Sequence, residues 1–340
     1  MKKTRSNQTK RSLIGLLHSS KKESGFTLLE LLIAAFISSL VVSGLLYVVT
    51  ELLRIDNREI ALEEVQRDTQ RAMNYIADEI REAVYVYTDP TTVTSPIGVG
   101  DALPGGSIPI IAFWKVSPIA QSDMPPGNCM TTFTDEVDQN NCRTLKVRRA
   151  SYDLVVYSLL PGPAEPWEGP ARISRYELKQ YSDSSTLTET PGYIDPSSND
   201  SSFEDWVKDT GETLPNSPAG SAVLVDYMAG VGTTGNAVNC PTFIPSNDSD
   251  SFTGNDSDQY TVSPPGALDD SSFFACIRNP GAVQQLDGQT ARSNQDVYLF
   301  LQGDASARGR GLNPASEASR SPILQTQVMV RGVINKEPDI

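Results

Sequence analysis

Residues 26–50 read FTLLELLIAAFISSLVVSGLLYVVT, and this stretch decides how the chain begins its fold. Residues 31–50 within it are twenty consecutive residues without a charge. A helix of that length, at about 1.5 Å per residue, is roughly 30 Å long, which matches the hydrocarbon core of a bilayer. The stretch is therefore predicted to form a membrane-spanning helix.

The residues before this stretch set its orientation. Residues 1–25 contain seven lysines and arginines against one acidic residue, Glu23. Basic flanks stay on the cytoplasmic side, so the chain after residue 50 is predicted to lie across the membrane. An ordinary secretory signal has small residues after its apolar region, whereas here the small residue, Gly25, precedes it. A plain uncleaved signal anchor is the alternative at this point.

Glu30 is the one charged residue inside the apolar stretch. A carboxylate near the membrane centre costs on the order of 2.5–3.5 kcal/mol, and such residues normally have a partner. Cleavage between Gly25 and Phe26 would give Phe26 a free ammonium group four residues before Glu30. That amine, or the same amine on a neighbouring subunit, is the natural counter-charge. The alternative is a glutamate at the interface, solvated by lipid headgroups.

The surrounding residues 21–34, KKESGFTLLELLIA, closely resemble the type III signal sequence of type IV pilins and type II secretion pseudopilins. The resemblance implies cleavage between Gly25 and Phe26 by a prepilin peptidase, N-methylation of Phe26, and Glu30 as the glutamate that neutralises an N-terminal amine during assembly. It also implies a single-pass inner-membrane protein with a periplasmic C-terminal domain. The implied partners are other pilin-like subunits, prepilin peptidase and the inner-membrane assembly platform.

The helical pattern continues beyond the membrane stretch. Apolar residues recur at spacings of three and four from Leu62 to Val84, and the opposite face is charged. No proline interrupts residues 26–89, and Pro90 ends the pattern. The predicted organisation is a leader at 1–25, a transmembrane and assembly helix at 26–50, an amphipathic helix at 51–89, and a globular β-rich domain at 90–340.

After residue 90 the chain contains short runs rich in β-branched and aromatic residues, which are typical of strands. Strands are predicted at residues 110–116, 152–160, 173–181, 222–227, 273–277, 297–301 and 326–334. An antiparallel sheet covering the apolar face of the helix gives an α+β, pilin-like fold. Acidic, Ser-rich insertions near 183–216 and 246–272 are predicted to be surface or disordered loops, because they contain few apolar residues to offset ordering entropy.

A second segment, QRAMNYIADEIREA at 70–83, resembles the helix end of large minor subunits, the J-type pseudopilins and W-type minor pilins. Together with the N-terminal motif, the resemblance covers about the first quarter of the chain. Some large minor pseudopilins of this kind serve hormogonium polysaccharide secretion in cyanobacteria, and the acidic insertions favour that subfamily. Glu30 favours a position just below the tip-most K-type subunit, because that subunit usually lacks this glutamate.

Composition removes several classes of function. The formal net charge of -14 disfavours nucleic acid as a partner, because acidic surfaces repel phosphates. The one histidine, His18, lies in the predicted leader, which excludes triad catalysis and His-ligated zinc from the processed protein. The acidic residues at 248–258 do not fit a calcium-loop pattern. No enzyme activity, cofactor or metal is predicted.

Four cysteines, Cys129, Cys142, Cys240 and Cys276, lack CxxC spacing, which leaves zinc binding unsupported. Two disulfides in an oxidising compartment and free buried thiols are both open from sequence, and four cysteines allow three pairings. Pairing of nearest neighbours along the chain, which joins Cys129 to Cys142, is the prediction.

The predicted function is therefore that of a minor pilin-like structural subunit of a type II secretion or type IV pilus-like machine. The alternative is a membrane-anchored surface adhesin or glycan-binding protein that uses the long loops as its binding face. Trp114, Trp167 and Trp206 are scattered along the chain, which favours packing over a sugar-stacking platform.

Overall fold

The computed structural model describes residues 25–198, 201–215, 220–230, 240, 260–265, 271–278, 283–286, 289–292, 295–308 and 319–330. The chain divides into two units, Met1–Leu53 and Arg54–Ile340. Helix α1, Leu28–Arg81, contributes residues 28–53 to the first unit and is also the first element of the second. Its leucine-, alanine- and glutamate-rich sequence favours a helix, and no proline interrupts it.

Helix α1 ends eight residues earlier than the predicted boundary at residue 89. After Arg81 the chain turns, with the N–H of Glu82 donating to the carbonyl of Glu79 at 3.0 Å, and forms strand β1, Ala83–Val86. Ala83 and Val84 satisfy the helical spacing, but the β-branched and aromatic residues that follow favour a strand. Pairing with a neighbouring strand decides the conformation, so the predicted helix end was wrong.

The other elements are regular and mostly short. Among the described residues the two further α-helices are α2, Cys129–Thr132, and α3, Glu136–Arg148, and two short 3-10 helices cover Gly100–Ala102 and Gln121–Asp123. The further strands are β2 Ile108–Pro118, β3 Ala150–Pro161, β4 Ala171–Leu178, β5 Tyr181–Asp183, β6 Thr188–Glu189, β7 Ser221–Met228, β8 Tyr260–Ser263, β9 Phe273–Arg278, β10 Val283–Leu286, β11 Gln289–Arg292, β12 Asp296–Leu301 and β13 Leu324–Met329.

All strand pairs among the described residues are antiparallel. One sheet has the order β1-β2-β3-β4-β7 and a second has the order β13-β12-β9-β8, with β10-β11 and β5-β6 as two-stranded ribbons. The predicted α+β class, a long apolar N-terminal helix followed by antiparallel sheets, is confirmed, and the layout is consistent with a pilin-like fold.

The predicted strands agree with the observed ones except at two places. The run at 173–181 is divided, because β4 ends at Leu178 and Tyr181 begins β5. The run at 326–334 begins two residues earlier as β13, and its residues 331–334 lie outside the described residues.

One face of the five-stranded sheet packs against helix α1. Phe113, Tyr157 and Ile173, from β2, β3 and β4, share a buried cluster with Ile76 and Ile80 of the helix. Apolar residues of β9, β12 and β13 complete this cluster, so the helix and both large sheets form one core. Full burial of one such aliphatic side chain contributes about 1.5–3 kcal/mol, so this face holds the helix in the domain.

The opposite face of the same sheet is covered by irregular chain. Tyr193, Trp206 and Leu214 are buried in a cluster with Trp114 and Tyr176. The stretch near 183–216 was predicted to be a surface or disordered loop, and its described part is instead a cover for the sheet. The stretch is polar on average, but a few large apolar residues in it bury enough surface to hold it on the sheet. In the second insertion, 246–259 and 266–270 lie outside the described residues.

Close contact between helix α1 and the strand connections requires a glycine. A Cβ on Gly303 would stand 2.4 Å from Val65 Cγ1 and 2.8 Å from Thr69 Oγ1 of the helix. Gly303 also forms an antiparallel bridge with Met228 at the end of β7. Its lack of a side chain therefore lets the chain between the two sheets approach the helix.

A buried ionic cluster fixes the C-terminal end of helix α1 on the sheet. Arg175 donates to both oxygens of Glu79, from Nε at 2.8 Å and from Nη2 at 2.7 Å. Lys115 Nζ donates to Glu79 Oε1 at 2.8 Å, and the Tyr157 hydroxyl donates to Oε2. Glu177 balances the second positive charge, because its Oε1 accepts from Arg175 Nη2 at 2.9 Å and lies 3.2 Å from Lys115 Nζ.

The cluster keeps its carboxyl groups ionised despite their burial. Burial by itself raises the pKa of Glu177, but hydrogen bonds and charge from Arg175 and Lys115 outweigh burial and lower this pKa to about 2. The same opposition acts on Glu79, where burial raises the pKa while Arg175, Lys115 and Tyr157 lower it below its ordinary value. The ionised forms are therefore the ones that stabilise the folded protein.

Glu79→Gln is expected to destabilise the protein by about 3 kcal/mol at pH 7, because removing one member of a buried ionic group leaves its partners unpaired. For a domain of this size that corresponds to a fall in Tm of roughly 6–12 °C. The folded pKa of Glu79 is depressed, so its contribution is present above the ordinary carboxyl pKa and is lost as pH falls below it. The difference between wild type and variant should shrink between pH 7 and pH 3.

Thermal unfolding of the full-length protein in detergent measures this effect. Glu82→Gln is the matched control, because Glu82 is exposed and lies three residues from Glu79. A Tm loss for Glu79→Gln that equals that of the control, or that is constant with pH, would contradict the stabilising role of the cluster.

Two disulfides join the four cysteines in the structure. Cys129 in α2 is bonded to Cys142 in α3, and Cys240 is bonded to Cys276 in β9, with a Cα–Cα separation of 5.7 Å in each pair. The first bond links two short helices, neither of which was predicted from the sequence. Asp135 begins α3 by accepting the N–H of Val137 at 3.2 Å, and this cap is the sequence signal for the helix.

We expect Cys129 and Cys142 to be joined by a disulfide bond in the exported protein. Reduction of this bond opens a loop of about 14 residues, which should cost roughly 3 kcal/mol in the chain-entropy model. Non-reducing peptide mapping of protein isolated from cells should recover the Cys129–Cys142 cross-linked peptide. Two thiols that alkylate without prior reduction would refute the pairing.

Candidate functional site at the N-terminal end of helix α1

The predicted cleavage position lies just before the helix. Gly25, Phe26 and Thr27 are non-helical and exposed, and the Phe26 residue is 79% exposed. An accessible backbone outside regular secondary structure is where peptidases preferentially cut a chain. The bond between Gly25 and Phe26 is therefore placed where an enzyme can reach it without unfolding the helix.

Thr27 caps the helix. Its Oγ1 accepts the N–H of Glu30 at 3.2 Å, and its carbonyl accepts the N–H of Leu31 at 3.2 Å. Thr27 and Glu30 stand in the T-x-x-E spacing of a capping box, in which a threonine cap satisfies an unpaired N–H of the first turn. The cap fixes where the helix begins and places Glu30 in its first turn.

The Glu30 carboxylate is exposed and has no ion pair or hydrogen bond within the described residues. The first turn of a helix has a partial positive charge of about half an elementary charge, which favours an acidic side chain there. A free ammonium group on Phe26 would add a full positive charge at the same end of the helix. Glu30, one turn further along, is the side chain on this helix end that opposes both charges.

The rest of the first unit is an apolar surface. Every residue of α1 before Ala61 is exposed, including the leucines, valines and phenylalanine of 28–53. By length and composition, α1 is the one helix among the described residues that could cross a membrane. A helix that is apolar on all sides is stable in lipid or among other helices, rather than in water.

The predicted site residues divide between the two units. Gly25 and Phe26 lie just before α1, and Glu30 lies in its first turn. Cys129, Cys142, Cys240 and Cys276 belong to the second unit, where they form the two disulfides. No group of three metal-binding side chains occurs in the described part of the chain. The basic residues of 1–22 and His18 lie outside the described residues.

Sequence reasoning missed the ionic partners of Glu79. A signal for them was available, because Glu79 follows Ile76 by three residues and so interrupts the apolar face of α1 with a charge. Lys115 and Arg175 likewise occupy positions that alternate with buried residues on the helix-facing side of β2 and β4. Charges at apolar positions in three separate elements are a pattern that predicts a shared buried cluster.

Comparison with known proteins identifies the same N-terminal segment. The family model described as the prokaryotic N-terminal methylation motif matches residues 20–46. No curated protein and no solved structure matches the chain. The chain therefore carries a type IV pilin-type prepilin cleavage and methylation motif on a single apolar helix, which supports a membrane-anchored, pilin-like protein that is processed by prepilin peptidase and assembles with other pilins.

Proposed function

We propose that this chain is a minor pilin-like subunit, a pseudopilin, of a type II secretion or type IV pilus-like machine. The observation that carries the proposal is Glu30, a carboxylate without a partner among the described residues, one turn after the bond that the motif marks for cleavage. In a structural subunit that assembles through its N-terminal helix, this carboxylate would pair with an N-terminal amine. In a plain signal anchor it would have no partner and would only make insertion into the membrane less favourable.

The assembly step follows from the surface of α1. In the membrane, lipid covers the apolar side chains of residues 28–53. When the subunit leaves the membrane, the same side chains pack against the helices of other subunits and so stay out of water. Inside such a bundle, the Phe26 ammonium of one subunit and the Glu30 carboxylate of its neighbour neutralise each other, and neither is left as an isolated charge of low solvation.

The finer assignment rests on resemblance and on the sequence. Residues 70–83 favour a large minor subunit of the J or W type, and the acidic Ser-rich stretches favour polysaccharide secretion of the hormogonium kind. We propose a leader at 1–25, a membrane and assembly helix at 26–50, and an amphipathic continuation that ends at Arg81. The second unit would then face the periplasm, and the inner-membrane platform would be a further partner.

Processing is expected to remove the first 25 residues and to leave N-methylated Phe26 at the new terminus. The reason is that the Gly25–Phe26 bond is exposed and lies within the matched motif. N-terminal mass spectrometry of the protein from membranes that contain active prepilin peptidase measures this directly. Recovery of the chain with Met1 still attached would reject the processing step.

Glu30→Ala should leave insertion and cleavage intact and abolish assembly. Insertion survives because the change removes a charge from an apolar helix, and cleavage survives because the bond cut is four residues away. Assembly fails because a buried Phe26 ammonium loses its counter-charge, at a cost on the order of 3–5 kcal/mol. Crosslinking to partner pilin-like subunits, with processing followed on the same gel, measures both steps.

Glu59→Ala is the matched control, because it makes the same substitution at an exposed position of the same helix outside residues 26–50. Glu30→Gln keeps the shape and removes the charge, so it should fail like Glu30→Ala. Normal crosslinking of both Glu30 variants would leave Glu30 without the role proposed here.

Deletion of the protein separates this function from the alternative of a surface adhesin or glycan-binding protein. A structural subunit predicts that fibre assembly or secretion is lost in the deletion strain. Intact fibres together with lost surface attachment would favour the adhesin instead.

A further inference from the structure

The described part of the second unit has a cavity of about 370 Å³ on the loop-covered side of the five-stranded sheet. Its walls come from two segments that are distant in sequence, namely residues 85–97, which comprise the end of β1 and the loop after it, and residues 204–207. Tyr85, Tyr87 and Trp206 supply aromatic surface, and Ile97 and Val207 supply aliphatic surface. The cavity lies outside the N-terminal site and the ionic cluster of Glu79.

The charge of this cavity is negative and unbalanced. Glu204 and Asp205 are exposed at its edge, and neither carboxylate has an ion pair or hydrogen bond within the described residues. None of the described lining residues is basic. The nearest base in sequence, Lys208, is engaged elsewhere, because its Nζ lies 3.3 Å from Asp101 Oδ2.

A hydroxyl group that lines the cavity also lacks a partner. Tyr85 is 7% exposed, and its hydroxyl group makes no hydrogen bond within the described residues, whereas the Tyr87 oxygen accepts from Trp114 Nε1 at 2.9 Å. The Tyr85 side chain is otherwise buried and its hydroxyl oxygen remains accessible, so this oxygen can accept a hydrogen bond from a ligand in the cavity. Burial and the charges of Glu204 and Asp205 raise the pKa of Tyr85 to about 12, so the hydroxyl stays neutral near pH 7.

The rim is suited to an aliphatic chain. Ile97 is 57% exposed and Val207 is 42% exposed, so both present apolar surface at the mouth of the cavity.

The aromatic side chains of the cavity are suited to a cation. Tyr85 and Tyr87 lie in an edge-to-face arrangement with ring centroids 5.0 Å apart. Aromatic rings attract cations through their faces, and this attraction grows when the cation is desolvated.

We propose that this cavity binds an alkylammonium group, as found at the end of a lysine side chain. The ammonium group donates hydrogen bonds to the carboxylates of Glu204 and Asp205 and to the Tyr85 oxygen. Its methylene chain packs against Ile97 and Val207, in the way that lysine stems cover apolar surface. A lysine of a partner polypeptide and a free alkylamine share this chemistry. The inference is independent of the assembly role of Glu30.

Isothermal titration calorimetry of the full-length protein with small-molecule probes, in an uncharged detergent at low salt, tests the proposal. N-acetyl-lysine methylamide is the first probe, and N-acetyl-norleucine methylamide is its neutral counterpart of similar shape. Saturable binding of the lysine probe, with at least tenfold weaker binding of the norleucine probe, is expected. Pentylamine distinguishes the two sources of the ammonium group. If pentylamine binds with the same affinity as the lysine probe, the natural ligand is a free amine. If pentylamine binds at least tenfold more weakly, the natural ligand is a lysine of a polypeptide.

Variants locate the binding. The double variant Glu204→Gln/Asp205→Asn should weaken the lysine probe at least tenfold, and Tyr85→Phe should weaken it about threefold. The double variant Glu168→Gln/Glu212→Gln removes the same number of exposed charges elsewhere and should bind like wild type. Absence of saturable binding, equal affinity for the neutral probe, or equal losses in the two double variants would overturn the proposal.

Discussion

Helix α1 has to keep two apolar surfaces out of water in two different ways, and the rest of the structure depends on this constraint. Before Ala61 every residue of the helix is exposed within the described part of the chain. From Ala61 onward one face is buried, first against the connection that follows β12 and, from Ala72, against both large sheets. The first surface requires lipid or other subunits, whereas the second is satisfied within the chain. The C-terminal half of the helix is therefore stabilised by the chain's own sheets, whereas the N-terminal half needs lipid or other subunits to cover it.

A carboxylate stands on an apolar surface in each half of this helix, and the two show how the chain treats the same electrostatic problem. Glu79 is satisfied internally, because Arg175, Lys115 and Tyr157 donate four hydrogen bonds to it. Glu30 has no such partner within the described residues. A charge that is buried without a partner costs several kcal/mol, so under the proposed assembly Glu30 would need a positive group from another subunit once the helix is enclosed in a bundle.

Local sequence was sufficient for the features that depend on local chemistry. The N-terminal motif, the length of the apolar stretch and the position of most strands all follow from residue type and periodicity within short windows. The partners of Glu79 are 36, 78 and 96 residues away along the chain, and periodicity indicates which face a residue occupies but not what it meets there. The end of α1 depends in the same way on pairing between β1 and β2.

Composition averaged over a long stretch concealed the second covering layer. Residues 183–216 are mostly polar, yet Tyr193, Trp206 and Leu214 bury large surfaces against the sheet. The polar residues between them are then held at the surface, where Glu204 and Asp205 are left without positive partners among the described residues. A net charge of -14 is thus not spread evenly over the domain. Folding places two of these carboxylates beside aromatic and aliphatic surface, and the proposed alkylammonium site rests on this combination of negative charge and apolar contact.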